Sequence, residues 1–230
     1  EMFRGIGPFL PSAAKVLSRI TLFFIIVTLI IIANDSSGQE NRMRFEQLSI
    51  DAGLSQTIVY SIVQDNEGFM WFATEDGLNR YDGYHFSIIR HDPEDQNSLA
   101  YNHLLALLVD SRGTLWAGTF LKGLERYDRE KDIFTHYRFD LEDPATLSND
   151  MVNCIHEDSR GDIWVGTDQG LNRLDIGTGV FTRYLHDPAD PASLSADRVA
   201  TICHCNKGYI WVGTTGGGLC RLDPDTGRFQ

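Results

Sequence analysis

Trp71, Trp116, Trp164 and Trp211 lie 45, 48 and 47 residues apart, and each opens the same phrase, Trp-x-(Ala/Gly)-Thr. A glycine stands three residues before every Trp (Gly68, Gly113, Gly161, Gly208), and an aspartate six before three of them (Asp65, Asp110, Asp158), with Cys205 in that place in the last unit. Asp-x-x-Gly is a tight turn: the carboxylate bonds its own backbone and the glycine supplies a left-handed residue, so two strands meet there. Further columns follow downstream: Gly77, Gly123, Gly170 and Gly218; Arg80, Arg126, Arg173 and Arg221; Asp82, Asp128, Asp175 and Asp223; and a closing Phe86, Phe134, Phe181 or Phe229. In the first unit this reads as four short strands over 58–64, 69–75, 78–82 and 85–90. A repeat of this length and content is the pattern of a β-propeller blade.

The strands around the tryptophans are apolar on both faces, as in a sheet stacked between neighbours and unlike one with a wet side. Met70 and Phe72, Leu115 and Ala117, Ile163 and Val165, and Ile210 and Val212 flank the four indoles. Two positions past each Trp is a small residue (Ala73, Gly118, Gly166, Gly213), and ten before it another (Ser61, Ala106, Cys154, Thr201). These columns are expected to leave room for a neighbouring blade's indole. A lone blade cannot bury both faces, so stacking is obligatory. The recurrent residues Gly68, Trp71, Gly77, Gly113, Trp116, Gly123, Gly161, Trp164, Gly170, Gly208, Trp211 and Gly218 are therefore structural, and they say little about what the protein binds.

The expected organisation is all-β, with repeats over about 54–97, 98–146, 147–193 and 194–230 inside a propeller region 41–230. Phe45-Glu-Gln-Leu48 resembles the unit-ending strands Phe134-Thr-His-Tyr137 and Phe181-Thr-Arg-Tyr184. It reads as a closing strand, 45–48, that would complete a last blade whose inner strands lie elsewhere. The preferred reading is thus an incomplete arc of about four blades from a larger ring, with a closed four-bladed ring as the alternative.

Upstream, residues 20–33 form a 14-residue, mainly apolar run preceded by Arg4, Lys15 and Arg19. A span needs about 20 residues, so the run reads as an N-terminal hydrophobic helix within a signal peptide over 1–38, cleaved near Gly38, or as an uncleaved membrane anchor. Either way the positive flank places the propeller outside the cytoplasm. A net charge of −12, with no basic patch interleaved with aromatics, argues against nucleic-acid binding in this region.

Candidate chemistry is sparse. The blade connectors share carboxylates, Asp92, Asp140 and Asp187, then Asp95, Asp143 and Asp190, which suit either calcium or sugar hydroxyls on a rim, or plain turn capping. Turn capping is the favoured reading. Cys154 falls in the small-residue column, and Cys203-His204-Cys205 lacks a second ligand pair at zinc-site spacing. Export leaves open whether these and Cys220 are oxidised. No nucleophile elbow, phosphate loop or His-Glu-x-x-His occurs. Neither a catalytic residue, a cofactor nor a resident metal is expected, and no ligand-binding residue can be named from the sequence.

The units Ile62-Val-Gln-Asp-Asn-Glu-Gly-Phe-Met-Trp-Phe-Ala-Thr-Glu-Asp-Gly-Leu-Asn-Arg-Tyr-Asp-Gly83 and Ile155-His-Glu-Asp-Ser-Arg-Gly-Asp-Ile-Trp-Val-Gly-Thr-Asp-Gln-Gly-Leu-Asn-Arg-Leu-Asp175 resemble the two-component regulator propeller repeat. The similarity runs from about Phe45 to Gln230, departing at Thr119-Phe-Leu-Lys-Gly123 and at Cys205. The resemblance implies a seven-bladed periplasmic sensor ring of an inner-membrane protein, followed in the family by a β-sandwich, a membrane helix and a cytoplasmic output, usually a histidine kinase feeding a phosphorelay. It also implies a carbohydrate-type small-molecule or oligosaccharide ligand and a homodimeric full-length protein. The readings held against it are a diguanylate cyclase output, an exported propeller lyase resembling the streptogramin-inactivating type, and a scaffold for protein partners.

Overall fold

The structure, a computed structural model, describes residues 45–230 except Asn206. The apolar run and the proposed cleavage region lie outside the described residues. The chain divides into two compact units, 1–46 and 47–230, and the fold below is that of the second.

After a 3-10 turn at Ile50–Ala52, sixteen strands follow in four groups of four. Blade 1 is β1 (Val59–Gln64), β2 (Met70–Thr74), β3 (Gly77–Tyr81) and β4 (Phe86–Ile89); blade 2 is β5 (Leu104–Val109), β6 (Leu115–Thr119), β7 (Leu124–Asp128) and β8 (Ile133–Tyr137). Blade 3 is β9 (Val152–Glu157), β10 (Ile163–Thr167), β11 (Gly170–Asp175) and β12 (Val180–Tyr184); blade 4 is β13 (Val199–His204), β14 (Ile210–Thr214), β15 (Gly218–Asp223) and β16 (Arg228–Phe229). Each group is one antiparallel sheet whose strands pair in chain order, as short hairpin turns require. The turn glycines Gly68, Gly113, Gly161 and Gly208 have φ of 93°, 84°, 83° and 82°, a region that a side chain disfavours.

The proposed closing strand at 45–48 is not formed: residues 45–49 have no regular structure. All four sheets already hold their own four strands. Among the described residues, then, no three-stranded sheet exists for that segment to complete.

Every first strand carries a bulge, which leaves Tyr60, Leu105, Asn153 and Ala200 out of register with the second strand. Neighbouring blades meet through these first strands, β1 on β5, β5 on β9 and β9 on β13. The cores lie between blades, as the sequence requires. Trp71 packs with Leu104, Leu107, Leu115 and Tyr127 of blade 2, Trp116 with Val152, Ile163 and Leu174 of blade 3, and Trp164 with Val199, Ile202 and Ile210 of blade 4. These three indoles are fully buried, while Trp211, with no following blade against it, is 37% exposed. Burying an indole removes about 150–250 Å² from water, which contributes roughly 4–6 kcal/mol as an upper bound.

The small-residue columns do leave room, but a different group fills it. Ser61, Ala106, Cys154 and Thr201 pair directly across the sheet with Ala73, Gly118, Gly166 and Gly213. A Cβ on Gly118 would lie 2.5 Å from Cγ1 of Val152, and one on Gly166 would lie 2.5 Å from Cγ1 of Val199. The hollow therefore receives a β-branched side chain from the next blade's first strand. The bulge turns that residue toward the preceding sheet, and this shift of one position is what the column count could not foresee.

Candidate functional site

The recurrent aspartates perform two tasks at once. Asp65 Oδ1 accepts the backbone N–H groups of Glu67 and Phe69 at 2.9 and 3.0 Å, closing the turn. Its Oδ2 accepts Trp71 Nε1–H at 2.7 Å, and Asp110 and Asp158 hold Trp116 and Trp164 in the same way at 2.9 and 2.8 Å. Burial pushes the Asp65 carboxyl up, but hydrogen bonds from Trp71, Arg129 and Glu67 outweigh it and hold the group below its ordinary value. Opposite each of these indoles lies an arginine of the third strand: the guanidinium carbons of Arg80, Arg126 and Arg173 are 5.9, 5.9 and 5.8 Å from the ring centroids. Arg221 instead covers Tyr209 at 4.3 Å. In blades 1 to 3 the aspartate, tryptophan and arginine columns thus contact one another within the sheet.

The connector aspartates form turns. Asp92, Asp95, Asp140, Asp143, Asp187 and Asp190 each accept, through Oδ1, the backbone N–H two residues on, at 2.9 to 3.0 Å. The backbone N–H groups of Phe134, Phe181 and Phe229 donate to Asn97, Ala145 and Ala192 at 2.8 Å, so each closing strand grips the connector before it. His91 Nδ1 and His186 Nδ1 bond the carbonyls of Leu99 and Leu194 at 2.8 and 2.7 Å. Among the described residues, no three His, Cys, Asp or Glu converge as a metal cage.

All four cysteines carry free thiols. Burial pushes the Cys154 thiol up to about 12, in keeping with a small core residue. His204, between Cys203 and Cys205, turns to the neighbouring blade, where its Nδ1 lies 2.8 Å from Nε2 of His156. Desolvation, then the His204 charge, lower the His156 imidazole below its ordinary value.

The column between the recurrent Gly-Leu and Arg carries a signal that the sequence reading passed over. In blades 1 and 3 it holds buried Asn79 and Asn172, whose Oδ1 atoms accept the N–H of Ser55 and Ser148 at 2.9 Å and whose Nδ2 atoms donate back to those serine hydroxyls at 2.8 and 2.9 Å. In blade 2 the pair becomes Glu125 and Ala100. Glu125 is fully buried, and its Oε1 has no hydrogen-bond partner among the described residues. Its Oε2 lies 2.5 Å from Nδ1 of His136, whose Nε2 reaches the carbonyl of Gln96 at 2.9 Å. Desolvation drives the Glu125 carboxyl up to about 7, against the opposing pull of His136. Through these two contacts His136 ties the Glu125 carboxyl and the connector to β8. Arg183 does this work in blade 3, donating to the carbonyls of Asp140, Asp143 and Thr146 at 3.1, 2.8 and 2.8 Å. A cleft of about 480 Å³ opens beside His136, lined by His91, Asp92, Gln96 and Arg138.

Residues 53–76 and 146–169 match the sequence profile of the family described as two component regulator propeller. Two stretches of the chain, in blades 1 and 3, are thus similar to that family's repeat. The chain is 33% identical to a solved extracellular domain of a hybrid two component system from Bacteroides thetaiotaomicron, with a TM-score of 0.74 over 80% of this chain and 26% of that one. A second extracellular domain from that organism, of a one component system, shares the fold with a TM-score of 0.64 at 22% identity, covering 81% of this chain and 27% of the other. Over 77 residues the chain is 36% identical to Histidine kinase P4 of Formosa agariphila, a match covering 34% of this chain and 6% of the kinase. The repeats thus span about a quarter of the solved relatives and a small part of the kinase.

Proposed function

We propose that this chain is the extracytoplasmic sensing propeller of a transmembrane signalling protein of the two-component histidine kinase type, and that its ligand is a carbohydrate. The supporting observation is the 33% identity, across 80% of the chain, to the extracellular domain of a hybrid two component system. In this reading the propeller lies in the periplasm, is held to the inner membrane by segments outside 47–230, and works within a homodimer. Ligand binding outside shifts the dimer between two arrangements and alters phosphoryl transfer inside. In this reading the propeller binds and does not transform; its six connector aspartates are engaged in turns, and His91, His136, His186 and His204 hold connectors or a neighbouring blade.

The test is a cell expressing the natural full-length protein that contains these residues, with autophosphorylation measured as oligosaccharides are added outside. A change with particular oligosaccharides supports the proposal. A response to amino acids or nucleosides alone overturns the ligand class, and protection of the propeller from external protease in spheroplasts overturns its placement.

A further inference from the structure

At each seam between blades, three positions meet beside the turn joining the second and third strands: the bulge residue, the first residue of that turn, and the residue before the next blade's first strand. At the seam of blades 3 and 4 these are Asn153, Asp168 and Arg198, and they satisfy one another. Asn153 Nδ2 donates to Asp168 Oδ1 at 3.0 Å and to the carbonyl of Val199 at 3.0 Å, and Arg198 Nε lies 3.2 Å from Asp168 Oδ1.

At the seam of blades 1 and 2 the same positions are Tyr60, Glu75 and His103, joined by Phe120 of the next turn. His103 stacks on Phe120 with centroids 4.8 Å apart and planes 11° from parallel, and the Tyr60 ring lies 5.3 Å from His103, tilted by 38°. Tyr60 donates its hydroxyl to Glu75 Oε1 at 2.6 Å. His103 Nε2 is buried without a partner among the described residues. The turn Thr119-Phe-Leu-Lys-Gly123 places Phe120 and Leu121 where the corresponding turns carry Glu75-Asp76, Asp168-Gln169 and Thr215-Gly216. Leu121 is 48% exposed in a turn whose sisters are polar, and the Tyr60 ring on β1 is 43% exposed. Packing does not require this; a half-exposed leucine in a tight turn contributes little to a core.

We infer that the Tyr60, Glu75, His103, Phe120 and Leu121 ledge is a sugar-binding subsite, which takes the ring of a neutral pyranose at the end of an oligosaccharide. The apolar C–H face of a pyranose matches the Tyr60 ring and the Leu121 methyl groups, and its ring hydroxyls match the Glu75 carboxylate and the Tyr60 hydroxyl. The Glu75 carboxylate beside Tyr60 disfavours an acidic sugar. This inference rests on the carbohydrate reading above and adds the place and the kind of sugar.

Calorimetric titration of the full chain with neutral trisaccharides of glucose, xylose, mannose and galactose tests it. At least one should bind; Tyr60→Ala and Phe120→Ala should each weaken it about ten-fold or more, Tyr60→Phe should cost less, and Leu121→Ser, which leaves the stacked rings in place, should weaken it several-fold. Tyr84→Ala, which removes an exposed tyrosine from a different turn, should leave it unchanged. If a trisaccharide binds and these ledge variants bind it equally well, the subsite is elsewhere while the carbohydrate reading stands. Binding only of the matching uronate trisaccharides overturns the neutral class. If no saccharide binds, both readings fall.

Discussion

The Glu125 carboxyl shows how one substitution in a repeat rewrites local energetics. Asparagine in this column satisfies itself against a serine; glutamate opposite alanine leaves an oxygen bare and draws in His136. Because the folded-state value is about 7 against an ordinary 4.5, the folded chain keeps a proton that the unfolded chain releases between those values. The stability this group contributes is fully present below about pH 4.5 and is lost as pH rises through about 7. Denaturant midpoints measured from pH 4.5 to 8 should therefore fall more steeply for the natural chain than for Glu125→Gln; parallel curves would refute the raised Glu125 carboxyl. The aspartates that hold the indoles give a second expectation. Asp158→Asn turns a donor toward Trp164 Nε1–H and should cost about 1–3 kcal/mol, read from urea unfolding. The turn role of these aspartates was legible from Asp-x-x-Gly, because the carboxylate bonds its own backbone. The indole bond was not, because it depends on how the hairpin folds the sixth residue back over the first.

Strands and their order were legible because alternation, turn glycines and aromatic closures repeat four times, and the expected strands 58–64 and 69–75 formed as Val59–Gln64 and Met70–Thr74. What fills the small-residue hollow was not legible, since the bulge at the start of each first strand changes which side chain faces back. The packing of Gly166 against Val199 makes this testable. Gly166→Ala should destabilise by about 1–3 kcal/mol through overpacking, and Val199→Ala should relieve part of that cost when the two are combined. A double-mutant cycle with no coupling would show that the two blades do not meet at this contact. The sequence also suggested a strand at 45–48 for a blade whose inner strands lie elsewhere; that blade is not among the described residues, and 45–49 have no regular structure.

As a whole, the 47–230 unit is an open stack with two uncovered sheet faces. Ile62 is 54% exposed on blade 1, although its counterparts Leu107 and Ile202 are 6% and 8% exposed under a preceding blade, and at the other end Trp211 and Leu219 face solvent. Such faces favour self-association and dye binding. The isolated 47–230 piece should therefore enhance the fluorescence of an exposed-hydrophobe dye, and Ile62→Lys should reduce both the enhancement and the apparent mass in light scattering. A monomer that ignores the dye would contradict the open stack. The division into four blades was legible in the spacing of the tryptophans. Ligand chemistry was not, because it depends on the few positions where one repeat departs from its sisters, and a consensus reading discards those first.

The most direct test is hydrogen exchange of the four indole N–H groups in the isolated 47–230 piece, followed together in one nitrogen-labelled NMR series at low protein concentration. Stacked blades predict slow exchange at Trp71, Trp116 and Trp164, each buried under the next sheet and bonded to its aspartate, and fast exchange at Trp211. Four indoles exchanging at one common rate would contradict the stack.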